Sequence, residues 1–406
     1  MSTEDQTKHL LWNIAKRYEA SAGELDIPAG SDFVGAPPSI LPTSLSFLGN
    51  RQFCLDLNLK FPLVSGAMAN GIASTKLVWE MASAGMLGFF GSAGLSLQQV
   101  ENAIDELTEL SNRLGQQPGA FGFNLIYSPN EPHLEDALVD LYLKRDVRIV
   151  EAAAFMQLSL PLLRYRLSGI YRDQNGFVQT KNHLIAKVSR LEVASQFFSP
   201  APDKMLEKLV SNGCITSEQA LMAKEIPVAQ DITAEADSGG HTDNRPAFAL
   251  VSAMQALKNR LQAEFSYRKK LRVGVAGGIG TPESAAAAFS MGAAYIVTGS
   301  INQACIESGS SDTVRKMLCE ATSSEIAMAP SADMFEMGIK VQVLKRGTMF
   351  PMRANKLYDL YTRFKSLEEL PEKERSFIET HILKAALGRV DCYRFLRSEE
   401  RSISGG

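Results

Sequence analysis

The strongest constraint on the fold is a regular alternation of short apolar runs with segments of helical spacing. The runs end in Gly, Ser or Asn and lack the polar alternation of a half-exposed sheet, which is typical of parallel strands covered on both faces. The helical segments between them supply the crossover connections. Eight such runs favour a closed (β/α)8 TIM barrel over an open doubly wound α/β sheet. The runs lie at residues 61–66, 86–91, 120–125, 147–151, 184–188, 227–235, 271–276 and 294–298.

The length of the chain leaves room for segments on both sides of this barrel. The chain has 406 residues, whereas a TIM barrel takes about 250. The pattern predicts an N-terminal helix and extended arm over 1–54, with the helix at 8–20, and a barrel over 55–305. Residues 306–406 are predicted to form a helical lobe that acts as a lid or substrate-side subdomain. An Asn-Gly pair within 171–178 predicts a hairpin in the long connection between the fourth and fifth runs.

Composition and charge narrow the class of protein. Hydrophobic residues make up 45% and charged residues 21% of the chain, which argues against global disorder. A net charge of −3 gives no electrostatic reason to expect nucleic-acid binding. No secretory signal and no apolar run of about 18 residues is present. The five cysteines are scattered without a CxxC motif, so we expect a cytoplasmic enzyme with reduced thiols, no metal site and no membrane span.

Two glycine-bearing loops predict a phosphate site. VAGGIGTPES follows the seventh run, and its Thr281 and Pro282 are suited to begin a helix. VTGSI follows the eighth run, and barrels often hold phosphate between these two loops. The alternative is that the glycines only turn each strand into the next helix. The backbone groups available to a phosphate are those of Gly277, Gly278, Gly280, Gly299 and Ser300.

A histidine lies in a polar loop after the sixth run, within EADSGGHTDNRP. Gly239 and Gly240 precede His241, and the carboxylates of Glu235 and Asp237 are close in sequence. A histidine at the carboxyl end of a barrel strand can donate a proton or orient a substrate. The alternative is a capping or surface histidine. The flanking glycines and carboxylates favour the functional interpretation.

Small and polar residues end three further strands. The first loop, SGAMANG, has small residues on which a flat ring can lie, although it also fits a plain turn with a core methionine. Asn124 ends the third run and can hydrogen-bond a heterocycle, or simply cap a helix. Lys187 ends the fifth run and can stabilise an anionic ring, or serve as an ion-pair partner inside the barrel.

These motifs together resemble a known superfamily. SGAMANG, FGFNL, IAKVSR, QDITAEADSGGHTDNRP and VAGGIGTPESAAAAFSMGAAYIVTGS are similar to motifs of the FMN-dependent nitronate monooxygenases and FabK-type enoyl reductases. Residues 328–361 resemble in particular the PfaD-like branch, the trans-acting enoyl reductases of polyunsaturated fatty acid and polyketide synthases. The resemblance extends from about residue 35 to about residue 398.

The resemblance implies that FMN binds in the mouth of the barrel. The phosphate would lie on the two glycine-bearing loops, the isoalloxazine on the SGAMANG loop, and the polar ring edge near Asn124 and Lys187. His241 matches the active-site histidine of the GGH motif and is carried over as a candidate catalytic residue. The implied cofactor-binding residues are Gly66, Ala67, Met68, Asn124, Lys187, Gly239, Gly240, Gly277, Gly278, Gly299 and Ser300.

The implied activity is reduction of a 2-enoyl thioester on an acyl carrier protein, with NADPH as the hydride donor. A homodimer is the expected assembly. The alternative enzyme is a nitronate monooxygenase, and two further alternatives are a non-catalytic flavin-binding component of a synthase and a barrel acting on sugar phosphates. Basic residues of the lobe could meet an acidic carrier protein, or could form a solvated charged face. They are Lys345, Arg346, Arg353 and Lys356.

Overall fold

A computed structural model describes residues 48–113, 121–129, 131–240, 243–331 and 335–387 of the chain. The predicted N-terminal helix and arm fall almost entirely outside these ranges. His241 and Cys392 also lie outside the described residues.

Twelve strands are described, and eight of them close into the predicted barrel. The strands are β1 (Leu63–Ser65), β2 (Leu87–Phe90), β3 (Phe121–Ile126), β4 (Ile149–Ala153), β5 (Tyr171–Arg172), β6 (Val178–Gln179), β7 (His183–Val188), β8 (Asp231–Glu235), β9 (Arg272–Ala276), β10 (Ile296–Thr298), β11 (Ile326–Pro330) and β12 (Lys340–Leu344). The barrel order is β1-β10-β9-β8-β7-β4-β3-β2, and every neighbouring pair is parallel. The (β/α)8 prediction is therefore confirmed.

Most of the described α-helices follow the barrel strands and pack on the outside of the wall. The α-helices are α1 (Arg51–Asp56), α2 (Thr75–Ser83), α3 (Leu97–Arg113), α4 (Pro132–Lys144), α5 (Leu160–Leu167), α6 (Leu191–Phe198), α7 (Asp203–Ser211), α8 (Ser217–Ala223), α9 (Ala247–Phe265), α10 (Pro282–Ser290), α11 (Ser300–Gln303), α12 (Asp312–Glu320), α13 (Phe350–Arg363) and α14 (Glu372–Phe377), the last continued by a π-helical turn, Ile378–Leu383. Thr281 caps α10 and Pro282 is its first residue, as predicted.

The barrel wall separates two apolar cores because successive side chains of a strand point to opposite faces. The larger core lies between the strands and the helices and includes Phe123, Val150 and Leu184. The smaller core fills the barrel interior and includes Ile149 and Ile185. Both cores are needed in a barrel, so the strands are apolar along nearly their whole length, as the eight runs predicted.

The amino-terminal end of the barrel, here called the floor, is closed by α1 and by a buried ionic cluster. Phe53 of α1 stacks on Tyr295 with ring centroids 4.2 Å apart. We define the floor cluster as Asp56, His183, Asp231 and Arg272. Arg272 donates from Nε to Asp231 at 2.5 Å and from Nη1 to Asp56 at 2.6 Å. His183 Nε2 lies 2.7 Å from the other carboxylate oxygen of Asp231, so each side chain of the cluster has a partner.

The predicted hairpin between the fourth and fifth runs is confirmed. Tyr171 pairs with Gln179 and Arg172 pairs with Val178 in an antiparallel register. Gly176 adopts φ of +79° in the turn, a conformation that glycine accepts without a steric cost.

The region after the barrel contains a second hairpin that its helical spacing did not predict. β11 and β12 pair antiparallel from Ile326↔Leu344 to Pro330↔Lys340, and α13 packs against them. The two strands are only partly buried, so their period-two pattern is weak and the surrounding charged residues obscure it. The prediction of a purely helical lobe therefore needs this correction.

Among the described residues, no helix combines the length and the apolar character required to cross a bilayer. The four described cysteines, Cys54, Cys214, Cys305 and Cys319, are free thiols.

Candidate active site

A buried group of three charged side chains lies at the carboxyl-terminal end of the barrel, here called the mouth. We define the mouth cluster as Glu151 of β4, Lys187 of β7 and Glu235 of β8. Lys187 Nζ lies 3.5 Å from Glu235 Oε1 and 3.8 Å from Glu151 Oε2. Ion pairing inside the barrel, one of the two interpretations of Lys187, is thus observed. One cation is shared by two carboxyl groups, which leaves the cluster short of positive charge.

Burial and the neighbouring charges both shift the pKa values of the cluster residues. Burial raises the pKa of Glu151, and the nearby Glu235 raises it further against the opposing effects of Lys187 and the Ala67 N–H. Burial alone would lower the pKa of Lys187, but the two carboxyl groups outweigh it and raise the pKa. The cationic form of Lys187 is therefore favoured, while Glu151 is poorly stabilised as an anion.

The loop after β1 is fixed above this cluster by backbone contacts. Ala67 N–H donates to Glu151 Oε2 at 3.3 Å, and Gly66 N–H donates to Thr298 O at 3.0 Å. A Cβ on Gly91 would come within 1.7 Å of Met68 O, so glycine is required where the loop after β2 crosses. The Gly66–Met68 backbone is held by β4, by β10 and by the loop after β2, and it presents a fixed surface.

Asn124 fixes a neighbouring loop and does not cap a helix. The side-chain Oδ1 of Asn124 accepts a hydrogen bond from Ser92 N–H at 2.7 Å. Its backbone carbonyl accepts one from the Tyr142 hydroxyl at 2.8 Å. The side chain is buried in the barrel next to Glu151, with which it is paired in register across β3 and β4. With Oδ1 engaged, the amide nitrogen is the group suited to donate to a ligand.

The glycines of the two predicted phosphate loops differ in what surrounds them. Gly277 has φ of +92°, and a Cβ there would come within 2.8 Å of the Ala236 backbone, so this glycine is required by a close approach. No heavy atom of the described residues lies within 4 Å of a Cβ built on Gly278 or Gly299. Their backbones therefore face open space.

The remaining loop donors divide into engaged and available groups. Gly280 and Thr281 donate their N–H groups to Ser284 Oγ at 3.1 and 3.0 Å, within the cap of α10. This cap removes Gly280 from the set of available donors. Ser300 is exposed at the start of α11, where its N–H has no intrahelical acceptor.

The loop after β8 connects the barrel to the region after it. Asp237 Oδ1 accepts hydrogen bonds from Asn244 Nδ2 and from Gln342 Nε2 of β12, both at 2.6 Å. A Cβ on Gly240 would approach Glu235 Oε1 to 3.2 Å, while Gly239 faces Ser300 at 3.8 Å. These contacts place the two glycines beside the mouth cluster and the second of the two predicted phosphate loops.

Of the residues predicted from sequence, the structure brings the described ones to one end of the barrel. Sequence reasoning missed Glu151 as a site residue, although a charge within the apolar run VRIVE is a signal that could have revealed it. It also missed Gly91, whose requirement depends on contact with a loop 23 positions earlier in the chain. That contact is not visible in the sequence.

The basic residues of the region after the barrel are largely engaged. Arg346 forms ion pairs with Glu320 at 3.4 Å and with Glu325 at 3.6 Å. Lys356 Nζ lies 2.8 Å from Glu374 Oε2. This part of the surface is locally charge-balanced, which favours the solvated-face interpretation for these two residues.

The fold and the mouth together define the class of protein: a TIM barrel, an architecture whose ligands bind at the carboxyl ends of the strands. The sequence model of the nitronate monooxygenase family matches residues 51–369. The chain belongs to the nitronate monooxygenase family.

Three known proteins illustrate the similarity. A polyunsaturated fatty acid synthase polypeptide of Thraustochytrium sp. is 48% identical over 88% of this chain and 24% of its own length. The polyketide biosynthesis protein PksE of Bacillus subtilis is 47% identical over 84% of this chain and 44% of its own length. The chain thus spans a quarter to less than half of these relatives. The crystal structure of the enoyl reductase domain of MlnA, from the macrolactin biosynthesis cluster of Bacillus amyloliquefaciens, superposes with a TM-score of 0.81. It is 39% identical and covers 89% of this chain and 80% of that domain.

Proposed function

We propose that the protein is an FMN-dependent enoyl reductase that reduces the 2,3 double bond of enoyl thioesters on an acyl carrier protein with NAD(P)H. The observation that carries this proposal is the similarity to the MlnA enoyl reductase domain over nearly nine-tenths of the chain. The names of the other relatives support a role in polyunsaturated fatty acid or polyketide synthesis. The resemblance of residues 328–361 to the same branch supports it further.

The residues at the mouth fit a flavin mononucleotide. Gly278 and Gly299 face open space, as a backbone that cradles a phosphate must. Lys187 supplies the one positive charge of the mouth cluster, suited to the electron-rich edge of a ring. The fixed backbone of Gly66–Met68 offers a flat platform for the ring itself. The proposed FMN-binding residues also include Asn124, Gly239, Gly240, Gly277 and Ser300.

When bound, FMN would supply hydride transfer between a nicotinamide and the β-carbon of the enoyl group. The chain's own residues do the rest. Lys187 and the Asn124 amide would hold the polar edge of the ring, and the two glycine-bearing loops would hold the phosphate. His241 remains the candidate that delivers a proton to the α-carbon of the substrate, on the strength of its GGH motif. The region after residue 306 would form a wall on the substrate side.

An anaerobic stopped-flow experiment tests this proposal. The purified protein is loaded with FMN, reduced with NADPH and mixed with an enoyl thioester of pantetheine or of an acyl carrier protein. We expect flavin absorbance to bleach with NADPH and to return with the enoyl thioester. His241→Ala is expected to slow the second phase and to leave the first unchanged.

The family match favours nitronate monooxygenase as the second candidate. That activity would show oxygen consumption with a nitronate and no requirement for NADPH. Absence of any reoxidation by the enoyl thioester, together with this oxygen consumption, would contradict the reductase proposal.

A further inference from the structure

The two carboxyl groups of the mouth cluster are not equivalent. Glu235 is the nearer to Lys187, at 3.5 Å, accepts a hydrogen bond from Ser238 Oγ at 3.4 Å, and has 8% of its side chain exposed. Glu151 is farther, at 3.8 Å, and has 1% of its side chain exposed. Its Oε1 is buried and has no hydrogen-bond partner among the described residues. Glu151 Oε2 also accepts the Ala67 N–H, at 3.3 Å, so the two carboxyl groups differ in their burial, in their distance from Lys187 and in the Oε1 of Glu151, which has no partner among the described residues.

The surroundings of Glu151 offer no second cation among the residues that the structure describes. Its neighbours in register are Asn124 on β3 and Ile185 on β7, both uncharged. Deeper in the barrel, the Tyr295 hydroxyl is hydrogen-bonded to Thr233 at 2.9 Å. Arg272 on β9 is engaged by Asp231 and Asp56 at the floor.

We propose that Glu151 is held as the neutral carboxylic acid at neutral pH, so that Lys187 is balanced by Glu235 alone and the mouth cluster has no net charge. Two carboxylates around one cation at a largely buried site would leave one charge uncompensated, which is costly. Protonating the more deeply buried carboxyl group, that of Glu151, removes that charge. Glu151 is then a positioning residue, acting through Ala67 N–H and Lys187.

The consequence for the cofactor rests on the proposed function. With Glu151 neutral, the mouth cluster carries no net negative charge that would oppose an anionic ligand. An ionised Glu151 would give the cluster a charge of −1 beneath the Gly66–Met68 platform. The platform would then repel an anionic ligand such as FMN. The proton on Glu151 therefore decides whether the mouth cluster is neutral or negative.

The first test measures protonation through stability and needs no cofactor. A folded protein that keeps a proton on Glu151 becomes less stable as pH rises, because the unfolded chain releases that proton from about pH 4.3 upward. We expect the urea-unfolding free energy of the full chain to decline from there through the folded-state pKa. E151Q should remove this decline and raise the melting temperature at pH 8. E207Q, at an exposed site on α7, is the matched control and should leave the slope unchanged.

The second test measures FMN binding by fluorescence quenching. At pH 7, E151Q should bind FMN within about threefold of wild type, because an amide imitates the neutral acid. Wild type should lose affinity relative to E151Q as the pH rises, by about tenfold once Glu151 ionises. E135Q is the control, since Glu135 is buried on α4 outside the barrel wall and is hydrogen-bonded to Ser159.

The outcomes separate the two proposals. If E151Q loses more than about tenfold in FMN affinity at pH 7, the inference is wrong. It is also wrong if the unfolding free energies of wild type and E151Q change with pH in the same way. If E151Q fails to fold, E151M takes its place, and failure of both at neutral pH also overturns it. If the unfolding free energy of wild type declines with pH as expected but the protein binds no FMN, the proposed function fails while the protonation of Glu151 stands.

Discussion

The two ends of the barrel each bury a cluster of charged side chains, but they do so in opposite ways. At the floor, Arg272 binds Asp231 and Asp56 through hydrogen bonds, and His183 forms a further hydrogen bond with Asp231. At the mouth, Lys187 is shared by two glutamates at longer distances, and the Oε1 of Glu151 has no hydrogen-bond partner among the described residues. A saturated cluster stabilises a fold, whereas an unsaturated one next to exposed glycine backbone is suited to a ligand.

The largest expected effect comes from breaking the floor. Arg272→Met leaves the fully buried Asp231 without its cation, which should lower the free energy of unfolding by about 3–5 kcal/mol. Urea titration measures this. Arg363→Met breaks an exposed ion pair with Asp359 and should cost less than about 0.5 kcal/mol. Similar costs for the two variants would contradict the role given to the floor cluster.

The pH dependence of stability should have opposite signs at the two ends. Burial would raise the pKa of Asp231, but Arg272 and His183 outweigh it and hold the pKa well below its usual range. Its stabilisation is present above about pH 3.9 and is lost as the pH falls toward the folded pKa. Asp231→Asn should flatten the acid side of the stability profile, by at least about 1 kcal/mol, whereas Glu151→Gln should flatten the other side. If both variants flattened the stability profile in the same pH range, the two clusters would not differ in the way proposed.

At the mouth, exposed glycine backbone should matter for binding more than for folding. Gly278→Ala places a methyl group in open space at φ of +71°, and we expect FMN affinity to fall by roughly tenfold. Gly213→Ala is the matched control, because Gly213 also has positive φ, +68°, and open surroundings, but lies between α7 and α8. Isothermal titration with FMN separates them. Equal losses of affinity would show that backbone strain, not phosphate contact, is responsible.

The smallest effect is expected at the link between the mouth and the region after it. Gln342→Ala removes one hydrogen bond to Asp237 and should lower stability by about 0.5–1.5 kcal/mol at most. Differential scanning fluorimetry measures the shift. If the region after residue 306 forms part of the substrate site, the same variant raises KM for the carrier-bound thioester and leaves NADPH oxidation by FMN unchanged. A change in the NADPH half-reaction instead would place the link on the cofactor side.

The sequence predicted the barrel because buried parallel strands must be apolar on both faces. Eight such apolar runs, separated by helical segments, favour a closed barrel over an open sheet. It predicted the Asn-Gly hairpin and the cap of α10 for equally local reasons. The hairpin β11–β12 was missed because its strands are only partly buried. The floor cluster was missed because Asp231 and Arg272 are 41 positions apart and each begins a strand, where a charge looks ordinary. Contacts between distant strand ends need the folded chain.

The visible spectrum of the purified protein under anaerobic conditions tests the central claim, that the mouth is a flavin site serving enoyl reduction. We predict flavin bands that NADPH bleaches and that an enoyl thioester restores in the absence of oxygen. A protein that stays colourless after incubation with FMN, or whose bands return only with oxygen, would contradict it.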